Sequence, residues 1–167
     1  MIENELKCHS DELPELPRIG LQFALRPGFE GLDYSGYGPE ENYRDRCYAS
    51  WQGKFTTTVS DLYVPYIMPQ ENGNRTGVVR ASLTDSDSNE FVIRAVDQAV
   101  EFKATHFTDE DLFKSTHTYE LEPRQETWVY VDHIQCGLGS HSCGPKMLEE
   151  YKVQPGNYSW SILFNWK

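Results

Sequence analysis

A glycine-rich loop holds the side chains of this sequence that are best suited to chemistry. It reads CGLGSHSCGP over Cys136–Pro145 and places two thiols and an imidazole close together in the chain. Its three glycines permit a sharp, closely packed backbone path. The preceding segment, Trp128–Ile134, is apolar enough to predict a strand. The loop is therefore expected at the end of a sheet, where binding loops are common.

Three hypotheses fit this loop. Cys136, His141 and Cys143 offer zinc ligands, but they are only three and their spacing matches no familiar zinc knuckle. Cys143 beside His141 could act as a nucleophile, although no third group is evident that would orient the pair. In a purely structural loop, the glycines form turns and the thiols fill small apolar spaces. Residue chemistry favours the structural loop and leaves the other two open.

The acidic side chains do not form an evident catalytic pair. Sugar hydrolysis with retention needs two carboxylates about 5 Å apart on either side of the substrate. Glu40-Glu41 and Glu149-Glu150 are adjacent, but consecutive residues of a strand point to opposite faces. Exposed acidic residues are also common on any protein surface. We expect no catalytic residue in this chain.

Two polar and aromatic blocks stand close together ahead of this loop. They read YSGYGPEENYRDR (Tyr34–Arg46) and SDLYVPYIMPQENGNRTG (Ser60–Gly77). Glycine and proline among aromatic and charged residues are typical of ordered loops on a β scaffold. Asn72-Gly73 predicts a tight turn, and Asp61 is expected to accept hydrogen bonds from loop N–H groups. The alternative is that Glu71-Asn72-Gly73 and Asp61 hydrogen-bond a sugar, but the turn chemistry already explains these residues.

The charged residues at the end of the first block predict a clamp, a set of ion pairs that holds the two blocks together. Arg44, Asp45 and Arg46 are expected to form ion pairs there. Glu71 or Asp61 of the second block would be the partners.

Composition excludes several classes of function. The chain has 167 residues, 26 acidic against 15 basic residues, and a net charge of -11. Such a charge repels nucleic-acid backbones and anionic membranes. No apolar run is long enough to span a bilayer, and the polar N-terminus lacks the apolar core of a signal peptide. We expect a soluble, cytoplasmic protein whose cysteines, at positions 8, 47, 136 and 143, are reduced.

Alternation of apolar and polar residues predicts most of the regular structure. Pro155-Gly156-Asn157 predicts a turn that pairs the last two predicted strands as a hairpin. Thr108–Lys114 predicts a capped helix and Pro39 a short helical turn through Tyr43, while Thr84–Asn89 predicts a hairpin loop. The predicted strands are Ile19–Leu25, Val78–Leu83, Glu90–Val96, Trp128–Ile134, Leu148–Val153 and Tyr158–Trp166.

These elements predict an all-β fold, an antiparallel β-sandwich with at most one or two short helices. Residues 1–15 are charged and contain Pro14, with Pro17 just beyond them, so they are expected to form a lead-in or linker. Residues 16–167 are expected to form one domain.

The two blocks and the loop, in this order, resemble one known family. It is the C-terminal domain, also called the small-chain domain, of the bacterial β-galactosidases of glycoside hydrolase family 2. The resemblance covers nearly the whole chain from Leu16. Its other matching residues are LPRIGL (16–21), GYGPEEN (36–42), Asp45-Arg46, YVPY (63–66), Pro69, ENG (71–73), Arg75 and Trp128.

This resemblance implies a fold and an activity for the intact enzyme. The domain would be part of a larger β supersandwich of the galactose-mutarotase-like type. The enzyme would hydrolyse terminal β-D-galactosides such as lactose with retention. Its catalytic glutamates and magnesium would lie on a barrel domain, so this chain would carry no cofactor and be inactive alone. The expected partners are that catalytic domain or subunit, the galactoside, and further copies in a homo-oligomer.

The resemblance also implies a substrate-binding role for the glycine-rich loop, which in the family extends into the active site. Cys143 matches a position that lines the acceptor side of the sugar pocket, with His141 and Ser142 as neighbours. Tryptophan is frequent at that position in relatives, so the small thiol removes a stacking platform here.

Two alternatives come from other classes of protein. One is a stand-alone carbohydrate-binding β-sandwich whose exposed Trp or Tyr rings stack on sugars; the other is a structural domain that docks on a partner. An exposed Trp51 with polar neighbours would favour sugar binding, whereas a broad apolar patch would favour docking.

Overall fold

A computed structural model describes residues 1–10, 13–139 and 144–167 of the chain. Within these ranges the chain forms ten β-strands, one α-helix and three short 3-10 turns. The helix is α1 (Asp109–Lys114). The strands are β1 (Ile2–Lys7), β2 (Arg18–Leu25), β3 (Gly31–Gly38), β4 (Trp51–Thr58), β5 (Arg75–Val78), β6 (Arg80–Thr84), β7 (Glu90–Ala95), β8 (Val100–Thr105), β9 (Thr127–Gln135) and β10 (Asn157–Trp166).

The strands form two antiparallel sheets. One has six strands in the order β1-β10-β7-β6-β3-β4, and the other has four in the order β2-β9-β8-β5. Apolar side chains from both sheets meet in one core, among them Leu83 and Ile162 from the larger sheet and Phe102 and Val129 from the smaller. All four of these side chains are fully buried. The predicted all-β antiparallel sandwich is confirmed.

Several predicted elements are present. Strands β2, β7, β9 and β10 lie where the alternation predicted them, and β6 and β7 pair across the predicted hairpin loop. The predicted capped helix forms as α1. Thr108 Oγ1 accepts from the Asp111 N–H at 3.1 Å, and Asp111 Oδ2 accepts from the Thr108 N–H at 2.8 Å. This reciprocal capping box satisfies two N–H groups that a helix end leaves open.

The predicted strand at Val78–Leu83 is divided between the sheets. It breaks at Val79, where the chain passes from β5 in the smaller sheet to β6 in the larger. Val79 itself bonds to the larger sheet, since its N–H donates to the Ser35 carbonyl at 2.9 Å.

The predicted strand at Leu148–Val153 and its hairpin with the last strand were wrong. Glu149–Tyr151 is a 3-10 turn, and Val153 forms an isolated bridge with Leu16. The neighbours of β10 are β1 and β7. The strand that pairs with β10 in place of residues 148–153 is therefore β1, a charged edge strand from the N-terminal part of the chain.

The predicted helical turn after Pro39 was also wrong. Residues 40–43 contain no helix. The Asn42 side chain instead donates to the carbonyls of Tyr37 and Glu40, at 3.1 and 2.9 Å. These bonds to its own backbone hold an irregular loop in place of a helix.

No helix among the described residues combines the length and the apolar character required to cross a membrane.

Candidate functional site

The glycine-rich loop leaves the end of β9 with its base tied on both sides. The Cys136 N–H donates to the Pro17 carbonyl at 3.0 Å, and the Gly137 N–H donates to the Tyr151 carbonyl at 2.9 Å. The predicted substrate-binding residues Cys143, His141 and Ser142 lie outside the described residues. What the structure describes is the neck of the loop, which we define as residues 136–139 on one side and 144–148 on the other.

Asp45, from the first polar block, binds the backbone of this neck. Its Oδ1 accepts from the Leu138 N–H at 3.2 Å and its Oδ2 from the Gly139 N–H at 2.7 Å. A Cβ at Gly137 would lie 2.6 Å from the Asp45 carboxyl carbon, so only glycine lets the backbone come this close. One carboxylate therefore joins the first block to the loop through two charge-assisted hydrogen bonds.

The two sides of the neck also touch each other. Gly139 has a left-handed backbone (φ +61°), and a Cβ there would lie 2.6 Å from the Met147 nitrogen. Beside this contact lies an open groove of about 350 Å³, whose walls include Arg46, Pro145 and Leu148. The neck is thus narrow and is open to solvent on the side of this groove.

Glu41 clamps the two polar blocks together. Its Oε1 accepts from Arg46 Nη2 at 2.6 Å and from the Tyr66 hydroxyl, and its Oε2 accepts from the Gly73 N–H at 2.8 Å. Tyr66 and Gly73 belong to the second block. Hydrogen bonds to Glu41 therefore join the two blocks, whereas its ion pair with Arg46 lies within the first block. The prediction that Arg44, Asp45 and Arg46 would form ion pairs with Glu71 or Asp61 was wrong for the part of the chain that the structure describes.

The predicted ion-pair partners differ accordingly. Glu71 binds Arg18 Nη2 at 3.0 Å and Lys103 Nζ at 2.8 Å, both on the smaller sheet, and not the basic residues of the first block. Asp45 is occupied by the loop backbone, and Arg44 has one buried guanidinium nitrogen without a hydrogen-bond partner. Gly73 has a left-handed backbone (φ +76°), but residues 72–74 form no turn, so the tight turn predicted at Asn72-Gly73 was wrong.

A buried carboxylate connects both blocks to the root of the loop. Glu101 Oε2 accepts from Asn74 Nδ2 at 2.8 Å, and its Oε1 accepts from the Gln135 N–H at 3.0 Å. Asn74 in turn exchanges hydrogen bonds with the Asn42 backbone at 2.9 and 3.0 Å. Burial raises the pKa of Glu101 to about 7, against the two hydrogen bonds that favour its charged form.

A second layer of charge lies close to this carboxylate on the smaller sheet. Lys103 is 3% exposed and also reaches Asp109 of α1 at 3.2 Å. Asp132 is equally buried, and burial raises its pKa to about 6 although Arg18 and Lys103 oppose the shift. Because Lys103 is buried and pairs with both Glu71 of the second block and Asp109 of α1, it fixes that block and α1 to the smaller sheet.

Comparison with known proteins identifies the family. Residues 2–164 match the family described as beta galactosidase small chain. The chain belongs to the β-galactosidase small-chain family. It is 37% identical over 161 residues to the beta-galactosidase of Staphylococcus xylosus and 38% identical over 127 residues to that of Streptococcus thermophilus. It is 34% identical over 154 residues to the beta-galactosidase of Lactococcus lactis subsp. lactis.

These alignments cover most of this chain and little of each relative. They include 96%, 76% and 92% of the chain, but only 16%, 12% and 15% of the three relatives. The resemblance stated from the sequence motifs is thus confirmed at the level of the family. The small-chain domain is one component of proteins several times its length.

The motif Asp45-Arg46 lies at the neck, and ENG (71–73) is joined to the same block through Glu41. The sequence did not predict that Asp45 binds the neck, or that the Gly73 N–H rather than the Glu71 carboxylate joins the two blocks. A carboxylate within a glycine- and proline-rich block is a usual acceptor for loop N–H groups, and this was the available signal. Among the described residues, no group of three or more His, Cys, Asp or Glu side chains could hold a metal ion.

Proposed function

We propose that this chain is the C-terminal β-sandwich component of a β-galactosidase that hydrolyses terminal β-D-galactosides such as lactose with retention. The observation that carries the proposal is the family match along residues 2–164. The catalytic glutamates and the magnesium ion are proposed to lie on the catalytic domain, in the part of the protein that this chain does not cover.

In this proposal the glycine-rich loop lines the acceptor side of the sugar pocket. Cys143 would face the acceptor, with His141 and Ser142 beside it. Support comes from the neck, which Asp45 and Gly139 hold in one path at the end of β9. A loop with a fixed neck can present its tip to a partner with little loss of entropy on binding.

The proposed partner is the catalytic domain or subunit, and the intact enzyme is proposed to be a homo-oligomer. Support comes from a group of exposed apolar side chains in two neighbouring loops. Ile67, Met68 and Tyr119 are 85%, 65% and 81% exposed. The loops are joined because Thr118 Oγ1 donates to the Tyr66 carbonyl at 2.6 Å. Exposed apolar groups of this kind are typical of interaction sites.

We propose the cytoplasm as the compartment. Cys8, Cys47 and Cys136 have free thiols in this structure, as is usual where thiols stay reduced.

Complementation tests the proposal. The purified chain is assayed for hydrolysis of a chromogenic β-galactoside, alone and mixed with the catalytic fragment of the same enzyme. We expect activity only in the mixture. Activity of the chain alone would place a catalytic pair within it, and inactivity of a folded mixture would refute the proposal.

One observation favours a second candidate, a stand-alone carbohydrate-binding domain. Trp51 is 59% exposed on the edge strand β4, where it precedes Gln52, and its ring contacts Phe55 edge-on at 6.0 Å. Exposed aromatic rings beside amide groups suit the faces and hydroxyls of sugars. Titration calorimetry of the chain with galactose and lactose, compared with Trp51→Ala, tests it. Heat that is lost in the variant would favour this candidate.

A further inference from the structure

We infer that Asp45 is a positioning residue for the acceptor side: its carboxylate holds the neck of the glycine-rich loop, and through the neck it governs how well the acceptor binds. This inference rests on the proposed function and adds a residue to it that lies far from the loop in sequence. Asp45 is a positioning residue because its side chain binds the loop backbone, and no contact of its own with the sugar is invoked.

The geometry of the Asp45 carboxylate supports this positioning role. Both of its oxygens are used, and they accept from two consecutive N–H groups, those of Leu138 and Gly139, at 3.2 and 2.7 Å. Two bonds to neighbouring peptide units fix both the position and the orientation of the backbone. A single bond would fix only a distance.

The contact between the two sides of the neck also supports this role. A Cβ at Gly139 would meet the Met147 nitrogen at 2.6 Å and the Pro145 carbonyl oxygen at 3.2 Å. The two sides of the neck are therefore packed against each other at the residue that Asp45 holds. A displacement of Gly139 would also displace Pro145 and Met147.

Asp45 is itself held in a fixed position by its neighbours. Tyr43 and Arg46 flank it and exchange two backbone hydrogen bonds, at 3.0 and 2.9 Å, so that Asp45 lies in a tight turn. Arg46 packs its guanidinium 4.9 Å from the centre of the buried Tyr43 ring and binds Glu41 at 2.6 Å. The tight turn and the contacts of Arg46 thus hold the carboxylate in one position, as preorganised sites require.

The first experiment asks whether Asp45 holds the neck in the full 167-residue chain. Amide hydrogen exchange is compared between the wild type, Asp45→Ala and the control Asp87→Asn, an exposed residue of the β6–β7 loop. We expect Asp45→Ala to speed exchange at Leu138 and Gly139 and to leave Val131 in β9 protected. Unchanged exchange at Leu138 and Gly139 would overturn the inference.

The second experiment asks whether the neck controls acceptor use in the assembled enzyme. With glucose as added acceptor, transfer is measured against hydrolysis for the wild type, Asp45→Ala, Asp45→Asn and Asp87→Asn. We expect Asp45→Ala to raise the half-saturating glucose concentration about tenfold, as for a misplaced binding group, and to lower hydrolysis much less. Asp45→Asn keeps one acceptor oxygen and should lie between the wild type and Asp45→Ala.

The outcomes distinguish a failure of the positioning role of Asp45 from a failure of the proposed function. If transfer and hydrolysis fall in parallel, or if acceptor use is unchanged, Asp45 has no positioning role and the inference is overturned. If the wild-type mixture is inactive, the proposed function fails and the acceptor role fails with it. Hydrogen exchange in the isolated chain still decides whether Asp45 anchors the neck.

Discussion

At the scale of single residues, neighbouring acidic side chains of the first block have separate tasks. Glu41 pairs with Arg46 in its own block and joins the second block through the Tyr66 hydroxyl and the Gly73 N–H, whereas Asp45 holds the loop neck. Neither is available as one of two carboxylates around a sugar, because each already accepts several hydrogen bonds within the chain. Both carboxylates instead fix the positions of loop backbone.

The thiol at Cys143 leads to a prediction about acceptors. In the complemented enzyme, Cys143→Trp should restore a stacking platform and change acceptor affinity and transglycosylation more than cleavage of the donor. Acceptor titrations at fixed donor concentration measure this change, and Cys143→Ala, which stays small, should behave like the wild type. Unchanged acceptor kinetics in Cys143→Trp would contradict the proposed position of this residue.

Gly20 in β2 leads to a prediction about stability. A Cβ there would lie 2.5 Å from the Asp132 Cα and 2.7 Å from the Val131 carbonyl oxygen, both in the paired strand β9. Gly20→Ala should therefore lower the free energy of unfolding by about 2 kcal/mol or more, as overpacked sites do.

Gly31→Ala is the matched control for Gly20→Ala. Its nearest neighbour would be the Thr84 carbonyl oxygen at 3.5 Å, an ordinary contact. Urea unfolding should place Gly31→Ala within about 0.5 kcal/mol of the wild type. Equal stability of the two variants would show that β2 and β9 can separate without cost at Gly20.

At the scale of elements, alternation predicted strands well where one face is buried and the other exposed. In β10, Trp160 and Ile162 are buried while Ser159 and Leu163 are exposed, and the strand was predicted correctly. β3 was missed because its glycines and serine suggested a loop, although Leu32 inside it is fully buried. Strand pairing was harder, since no local pattern shows that β1 supplies the neighbour of β10.

The polar contacts around the candidate site were less predictable than the strands. The Glu101 bonds to Asn74 and Gln135 join residues 27 and 34 positions apart. Asp45 reaches Gly139 across 94 positions. Such partners are set by the tertiary fold, so the sequence could identify the loop and the blocks but not the carboxylates that join them.

The buried carboxylate on β8 leads to a prediction about pH. The pKa of Glu101 is raised from an ordinary 4.5 to about 7. Between these values the unfolded chain releases this proton while the folded protein keeps it, so stability falls as pH rises. The loss from Glu101 should total about 3 kcal/mol between pH 4.5 and 7 and then level off.

Glu101→Gln should remove that part of the pH dependence, since an amide does not titrate. Urea unfolding at a series of pH values from 5 to 8 measures the slope. Glu90→Gln is the control: Lys167 and Ser82 lower the pKa of Glu90 to about 2, so its stabilisation is lost only in acid. An equally steep slope in Glu101→Gln and the wild type would show that Glu101 is charged throughout the range.

At the scale of the whole molecule, the smaller sheet, the loops that cover it and the loop neck form one connected assembly. Glu101 joins β8 to β9 and to Asn74, and Glu41 joins the second block to the first, in which Asp45 holds the neck. The exposed Ile67 and Met68 belong to the second block. A partner that binds these side chains would therefore bind a loop that is connected to the neck through Glu41 and the first block.

The exposed apolar side chains on these connected loops lead to a prediction about assembly with the catalytic fragment. Ile67→Asp and Tyr119→Asp place a charge in the exposed apolar group and should each weaken binding about tenfold or more, as central interface positions do. Val96→Asp is the control, because Val96 is exposed, at 48%, but lies outside this group. Affinity is measured by titration calorimetry, and each variant must keep the wild-type circular dichroism spectrum. If the wild type binds and both variants bind as tightly, the catalytic part docks on another face, and the exposed apolar group needs a different partner.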